Sequence, residues 1–327
     1  MMHAIGDSSD GFFWLRDEYS TGFYIVDKGY DVWVANSRGN KYSLSHVNPK
    51  ITKQEFFDFS WEEMGRIDLP AFYNYILKTT NSEKIMYIGY CQGTTQMFVG
   101  LLDDESRKFL SEKTEKFIAI SPVVFMDNFG YKSIKVLSKF RTVIYSAAWV
   151  FGLVDLFPGK CQGNSSWNKI SEWICRYLGF ACNGFSKELL SPKGRAFEMH
   201  EELASSFDDA FPSGTTAKIA MHYGQNMNAG TPKTFQKYDY GLANLWKYGS
   251  LFAPHWDLSV MDADIVLIAG DDDHFGTLKD AENLASELDP KRTVLYSLEG
   301  WDHFSFAYPS DTIKTEIFHA ILDKELL

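Results

Sequence analysis

Cysteine is scarce in this chain, with four in 327 residues, which is too few for a disulfide scaffold at this length. Long apolar runs are missing too. The longest uncharged, mostly apolar stretch, Thr142 to Val154, falls short of the ~20 residues a spanning helix needs. Basic residues are outnumbered, 32 Lys and Arg against 43 Asp and Glu, for a net charge of −11. That balance argues against a nucleic-acid partner, whose phosphates demand Lys/Arg patches. No His/Cys cluster stands at zinc spacing, so no metal is implied, and no motif asks for a cofactor. Low-complexity segments are absent, which with the apolar content excludes a disordered chain, and no internal repeats are seen. The opening MMHAIGDSSDGFF has no basic region followed by an apolar core, so no signal peptide is read there.

What is present is a core-forming composition, 45% apolar and 23% charged, long enough for one large domain or two. Aromatics reach 16%. Such rings fill a large core and also suit the walls of an apolar ligand site. Three of the cysteines, Cys161, Cys175 and Cys182, fall close together, and a Cys175–Cys182 bridge would suit a secretory compartment. Asn164-Ser165-Ser166 is a glycosylation sequon, meaningful only on a secreted chain.

The first half alternates short apolar strands with helical stretches, the α/β pattern. Asp31–Ala35 reads as a buried strand ending at the turn Asn36-Ser37-Arg38-Gly39-Asn40. Ser60 with Glu63 forms a capping box. It opens a helix that spaces Met64, Ile67, Leu69, Phe72, Tyr75 and Ile76 on one face and that Pro70 should strain or kink. Lys84–Gly89 is a strand, Thr94–Leu102 an apolar helix, and Phe117–Ser121 a strand closed by Pro122. Between about Asp127 and Pro254 the alternation stops, in favour of aromatic-rich, short helical patterns. Strands resume at Asp264–Gly270 and Thr293–Leu298, and a last helix spans about Asp311 to Leu322. The expected organisation is an α/β core of residues 1–126 and 255–327 with a helical insertion at 127–254.

Gly89-Tyr90-Cys91-Gln92-Gly93 lies between a strand and a helix. That is the setting of a nucleophile elbow, with Cys91 where Ser is usual. The turn is so sharp that side chains at Gly89 and Gly93 would collide with the neighbouring elements. The following helix aims its N-terminus at residue 91, which favours a thiolate. A nucleophile needs a base, and the base needs an orienting acid, in the order nucleophile, acid, histidine. Asp271-Asp272-Asp273 follows one strand and His303 the next, both at the strand ends where parallel sheets place ligand groups. Singly, each feature has an ordinary reading: a small buried hydrophobe, a solvated loop, a polar loop histidine. His274 is a competing base. An oxyanion hole would use the backbone amides of Gln92 and, from the His3-Ala4-Ile5-Gly6 loop, Ile5.

These motifs resemble the acid lipases of the gastric and lysosomal type, within the α/β-hydrolases. The resemblance spans nearly the whole chain. It rests on Asp7-Ser8-Ser9-Asp10-Gly11, Gly29-Tyr30-Asp31-Val32-Trp33 with Asn36–Asn40, and Phe57-Asp58-Phe59-Ser60 followed by Met64 and Asp68-Leu69-Pro70-Ala71. It continues through the elbow with Thr94-Thr95, then Ser213-Gly214-Thr215, Tyr238-Asp239-Tyr240-Gly241, Trp256-Asp257-Leu258, and Asp302-His303-Phe304 with Phe306.

The resemblance implies a mostly parallel sheet, a helical cap at 127–254 over the active site, and hydrolysis of acylglycerols or sterol esters. It places Cys91 as nucleophile, Asp273 as acid, His303 as base, and Gln92 and Ile5 at the oxyanion positions. It further implies a lipid ester as partner, contact with a lipid interface, and a secreted or lysosomal setting. The apolar run Val143, Ile144, Trp149, Val150, Phe151 and Leu153 would line an acyl tunnel, touch lipid, or pack on the core.

Two departures stand out. Cys91 replaces Ser, which admits a Cys-dependent thioesterase or acyltransferase, or a non-catalytic lipid-binding or scaffold protein, beside the lipase. The second is the start. The family's sheet carries a strand between Asp31–Ala35 and Lys84–Gly89, and Met1-Met2 supply only its tail. The first strands of the sheet are therefore expected to be missing, as in a fragment or after a misassigned start codon.

Overall fold

The computed structural model describes residues 1–13, 19–158, 211–307 and 312–326. Four parallel strands form the central sheet: β1 (Ile85–Tyr90), β2 (Thr114–Ile120), β5 (Ile265–Gly270) and β6 (Thr293–Leu298), in spatial order β1-β2-β5-β6. The remaining two, β3 (Asp155–Leu156) and β4 (Thr215–Thr216), make a separate antiparallel pair. β5 is buried along its whole length, which explains why parallel strands covered on both faces read as unbroken apolar runs. Every residue of the helix Gln92–Leu102 is buried as well, as it crosses from β1 toward β2 beneath the sheet's helical cover.

Because the strands are parallel, their carboxyl ends share one edge. The ladder carries on past the strands there. Cys91 N donates to Ile120 O (3.0 Å), Ser121 N to Ile268 O (2.7 Å) and Asp271 N to Leu298 O (3.1 Å). The loops that follow these four strands therefore start in fixed register with one another.

The segment Asp31–Ala35 departs from expectation. It is half-buried and extended but makes no ladder; only Ala35 is bridged, in parallel, to Met2, which is itself bridged to Gly89. Ala35 N donates to Met1 O (3.0 Å), and Tyr90 N donates to Met2 O (3.0 Å). Met1-Met2 thus lies between Asp31–Ala35 and β1. Beside it opens a cavity of about 270 Å³ lined by Val32, Trp33, Ile85 and Leu326 among others. A strand needs partner backbone along its length, and this one has it only where Met1 meets Trp33 O and Ala35 N.

The capping box at Ser60 is present: Glu63 Oε2 accepts from Ser60 N at 2.7 Å. The helix it opens is not continuous. Residues Met64–Asp68 form a π turn, and a regular helix, Leu69–Thr80, restarts with Pro70 in its first turn. Proline lacks an N–H and crowds the carbonyl four residues back, and the wider turn accommodates both.

Within 127–254, the described helices are Lys132–Leu137, Arg141–Val150, Ala217–Met227 and Asn244–Tyr248. Cys161, Cys175, Cys182 and the sequon at Asn164 lie outside the described residues. The closing helix, Thr312–Leu326, continues beyond the expected Leu322. Among the described residues no helix is long and apolar enough to cross a membrane.

Candidate active site

Cys91 stands between β1 and the helix Gln92–Leu102 at φ 52°, ψ −113°, a left-handed conformation that non-glycine residues rarely adopt. The flanking glycines are steric necessities. A Cβ on Gly89 would come within 2.7 Å of the Gly93 backbone, and one on Gly93 within 2.3 Å of Met2 O. The Thr94 hydroxyl fastens the turn, donating to Cys91 O (2.6 Å) and accepting from Val123 N (3.1 Å). Thr95 Oγ1 donates to Val123 O (2.6 Å), so Tyr223 OH, 2.9 Å away, donates to Thr95. Cys91 is 5% exposed and carries a free thiol.

The loops after β5 and β6 bring Asp273 and His303 together. His303 Nδ1 lies 2.9 Å from Asp273 Oδ2 and 3.1 Å from Oδ1, and the Cys91 sulfur is close enough to act on the imidazole's charge. With Nδ1 on the carboxylate, Nε2 is the nitrogen left for sulfur. Of the three consecutive aspartates, only Asp273 is on His303. Asp271 accepts from Gly300 N (2.7 Å) at the exposed side of the turn. Asp273 is buried, and its Oδ1 accepts from Phe275 N (2.7 Å) and Gly276 N (2.9 Å). The Phe275 ring packs 4.8 Å from the imidazole, and Tyr90 OH donates to His303 O at 2.6 Å. His274, the competing base, instead packs against Gly130 and Tyr131.

Burial opposes charge on both partners, and each partner's charge overrides it. The Asp273 carboxylate, and after it the Cys91 sulfur, hold His303 well above the ordinary histidine value. His303, with the hydrogen bonds of Ser121 and Phe275, holds Asp273 below the usual carboxylate value. A hydrogen-bonded, oppositely charged pair favours its ionised form in this way.

The Gln92 amide opens its helix, so it is one of the donors a helix leaves without an internal acceptor. Ile5 sits in the turn after Met2, with Gly6 at φ 68° and Gly6 O accepting from Ser213 N (2.6 Å). His3 is an internal brace. Its Nε2 accepts from Ser37 N (3.0 Å), which leaves Nδ1 to donate to Ala4 O (2.7 Å), and burial lowers its pKa to about 4.

Sequence reasoning missed Ser121, whose hydroxyl contacts both Asp273 and His303, and Tyr223. The only signal for Ser121 was a hydroxyl residue ending an apolar strand. No group of three or more His, Cys, Asp or Glu that could hold a metal occurs among the described residues.

This sheet, elbow and strand-end placement is that of an α/β-hydrolase, and comparison with known proteins agrees. The family described as "alpha/beta hydrolase fold" matches residues 1–308, and the chain belongs to it. Among its relatives are the Caenorhabditis elegans lipase lipl-1, 30% identical over 99% of this chain and 78% of that protein, and the mouse gastric triacylglycerol lipase, 28% identical over 98% and 78%. The rat lysosomal acid lipase/cholesteryl ester hydrolase is 26% identical over 94% of this chain and 74% of its own length. Within the family the chain is therefore of the gastric and lysosomal acid-lipase type, an ester hydrolase by class. In fold it is similar to a Paleococcus ferrophilus monoacylglycerol lipase, with a TM-score of 0.54 at 15% identity over 99% of this chain and 91% of that one.

Proposed function

We propose that this chain hydrolyses carboxylic esters of lipids through a Cys91–His303–Asp273 triad and a covalent acyl-enzyme. The observation that carries the reading is the buried His303–Asp273 pair, set at the strand ends beside a cysteine held at positive φ between two glycines. The sulfur attacks the ester carbonyl carbon and its proton passes to His303 Nε2. The tetrahedral oxygen takes its negative charge toward the amides of Gln92 and Ile5. Collapse breaks the C–O bond, and the alcohol leaves with the proton from His303. Water, deprotonated by His303, then attacks the thioester and releases the fatty acid, which restores the thiol. Throughout, Asp273 holds the imidazole in one tautomer and stabilises its charge.

The names of the relatives, a gastric triacylglycerol lipase and a cholesteryl ester hydrolase, support acylglycerols or sterol esters as substrates. Residues 127–254 would form a cap over the site. Its helix Arg141–Val150 has no buried residue, and Val143, Val150 and Phe151 are each more than seven-tenths exposed. That open apolar face suits a lipid surface better than a place in the core.

The test is an ester and thioester series with the wild type, Cys91→Ala and Cys91→Ser. Hydrolysis by the wild type that vanishes in Cys91→Ala supports the triad. A wild type inert toward every ester, with activity appearing in Cys91→Ser, would mark a retired site on a binding or scaffold protein. Turnover of thioesters alone would shift the reading to a thioesterase or acyltransferase.

A further inference from the structure

We propose that Ser121 is a positioning residue of this site: its hydroxyl ties Asp273 to His303 and, together with the carboxylate, fixes the imidazole tautomer. The inference rests on the triad reading above and deepens it. Ser121 is fully buried at the end of β2, the strand between those that deliver Cys91 and Asp273. Its Oγ hydrogen-bonds Asp273 Oδ2 and lies 2.7 Å from His303 Nδ1.

The hydroxyl has one proton, and a carboxylate can only accept. The proton therefore goes to Asp273, and the oxygen turns its lone pairs to Nδ1. Nδ1 must then carry a proton, which leaves Nε2 unprotonated in the neutral ring and free to act as base toward sulfur. The backbone is arranged for this contact. Ser121 has φ 48° and is held there by its N–H on Ile268 O at 2.7 Å. A non-glycine residue in that region is costly unless its surroundings fix it.

Among the described residues, the titratable groups around the pair are Cys91, Tyr90, His274 and, beside Cys91, Tyr223. Cys91 approaches the imidazole from the turn after β1, Tyr90 binds His303 O, and His274 packs on Gly130 and Tyr131 instead. Loss of the hydroxyl removes a donor from the carboxylate, so Asp273 takes up its proton at higher pH.

The experiment measures the rate at which iodoacetamide alkylates Cys91, from pH 3.5 to 9, in the full chain, for wild type, Ser121→Gly, Ser121→Ala and His303→Ala. Glycine tolerates the positive φ, so Ser121→Gly deletes the hydroxyl without backbone strain. The acidic limb of its profile is expected to move up by roughly one pH unit, since a hydrogen bond to a charged group is worth about that much. Alkylation then slows about tenfold below the limb, with melting temperature little changed. Ser121→Ala should show the same displacement at a lower melting temperature. A Ser121→Gly profile superimposed on the wild type, with His303→Ala still slowed, overturns this inference alone. A His303→Ala profile identical to the wild type overturns the triad and this inference with it.

Discussion

Asp7 offers a sharp test of how this site's first loop is held. Its side chain is 4% exposed, and Oδ1 accepts from Ser8 N at 2.7 Å. Burial, helped by the charge of Asp10 and opposed by Lys41, raises its pKa from 3.8 to about 7. An acid whose pKa is raised by folding binds its proton more tightly in the native state. The stability it contributes is full below the unfolded value and is lost as pH rises through the folded one. A displacement of about three pH units, at 1.36 kcal/mol each, sets a ceiling of about 4 kcal/mol. Native stability totals only ~5–15 kcal/mol. Asp7→Asn keeps the shape and the acceptor for Ser8 N but carries no charge.

Urea unfolding at pH 5 and pH 8.5 is the assay. The variant should lead by about 1–2 kcal/mol at pH 5, where the unfolded carboxylate is already ionised, and by about 3–4 kcal/mol at pH 8.5. Glu62, raised to about 7 by burial, titrates alike in both and cancels in the difference. If the variant is no more stable than the wild type at pH 8.5, the argument from burial is wrong.

Two further predictions concern the elbow and the open helix. Gly93→Ala sets a methyl group against Met2 O, which is backbone and cannot rotate away. It should destabilise by about 3 kcal/mol; a variant with unchanged urea unfolding would contradict the elbow geometry. Val143→Asp with Phe151→Asp changes residues 72% and 75% exposed, so unfolding should move by no more than about 1 kcal/mol in all. Hydrolysis of emulsified or vesicle-borne ester should fall at least about tenfold while a soluble p-nitrophenyl ester is turned over as before. Equal losses on both substrates would rule out the lipid-surface role.

The sheet was legible because burial on both faces leaves a plain trace: β5 and the second half of β2 are short apolar runs closed by Gly or by Ser-Pro. Asp31–Ala35 carries the same trace and yet forms no ladder, since a strand depends on what lies beside it, and only Met1-Met2 does. The capping box at Ser60 could be read because its bonds are local. The π turn before Pro70 could not, because it trades one intrahelical pattern for another according to packing. In the site, residue order and strand ends pointed to Cys91, His303 and an aspartate run. The family resemblance placed the acid at Asp273 within that run, and the turn geometry, in which Phe275 and Gly276 donate to its carboxylate, supplies the physical reason. Ser121 has no motif, and its contacts come from two strands that meet only in the fold.

Two adjacent strand ends, at Cys91 and Ser121, carry non-glycine residues at positive φ, 52° and 48°. Each conformation costs of order 1–3 kcal/mol, and both are held by the same device, an N–H bonded to the next strand: Cys91 to Ile120 O and Ser121 to Ile268 O. The strain is thus borne by a ladder that would exist without it. Its effect is to turn two side chains off the sheet's edge toward the imidazole that also receives Asp273. A cysteine serving only as core packing would need neither the positive φ nor glycines two residues to either side. The local backbone is that of a nucleophile elbow, and on the proposed reading sulfur in place of oxygen alters the size of the presented atom while leaving the frame that presents it.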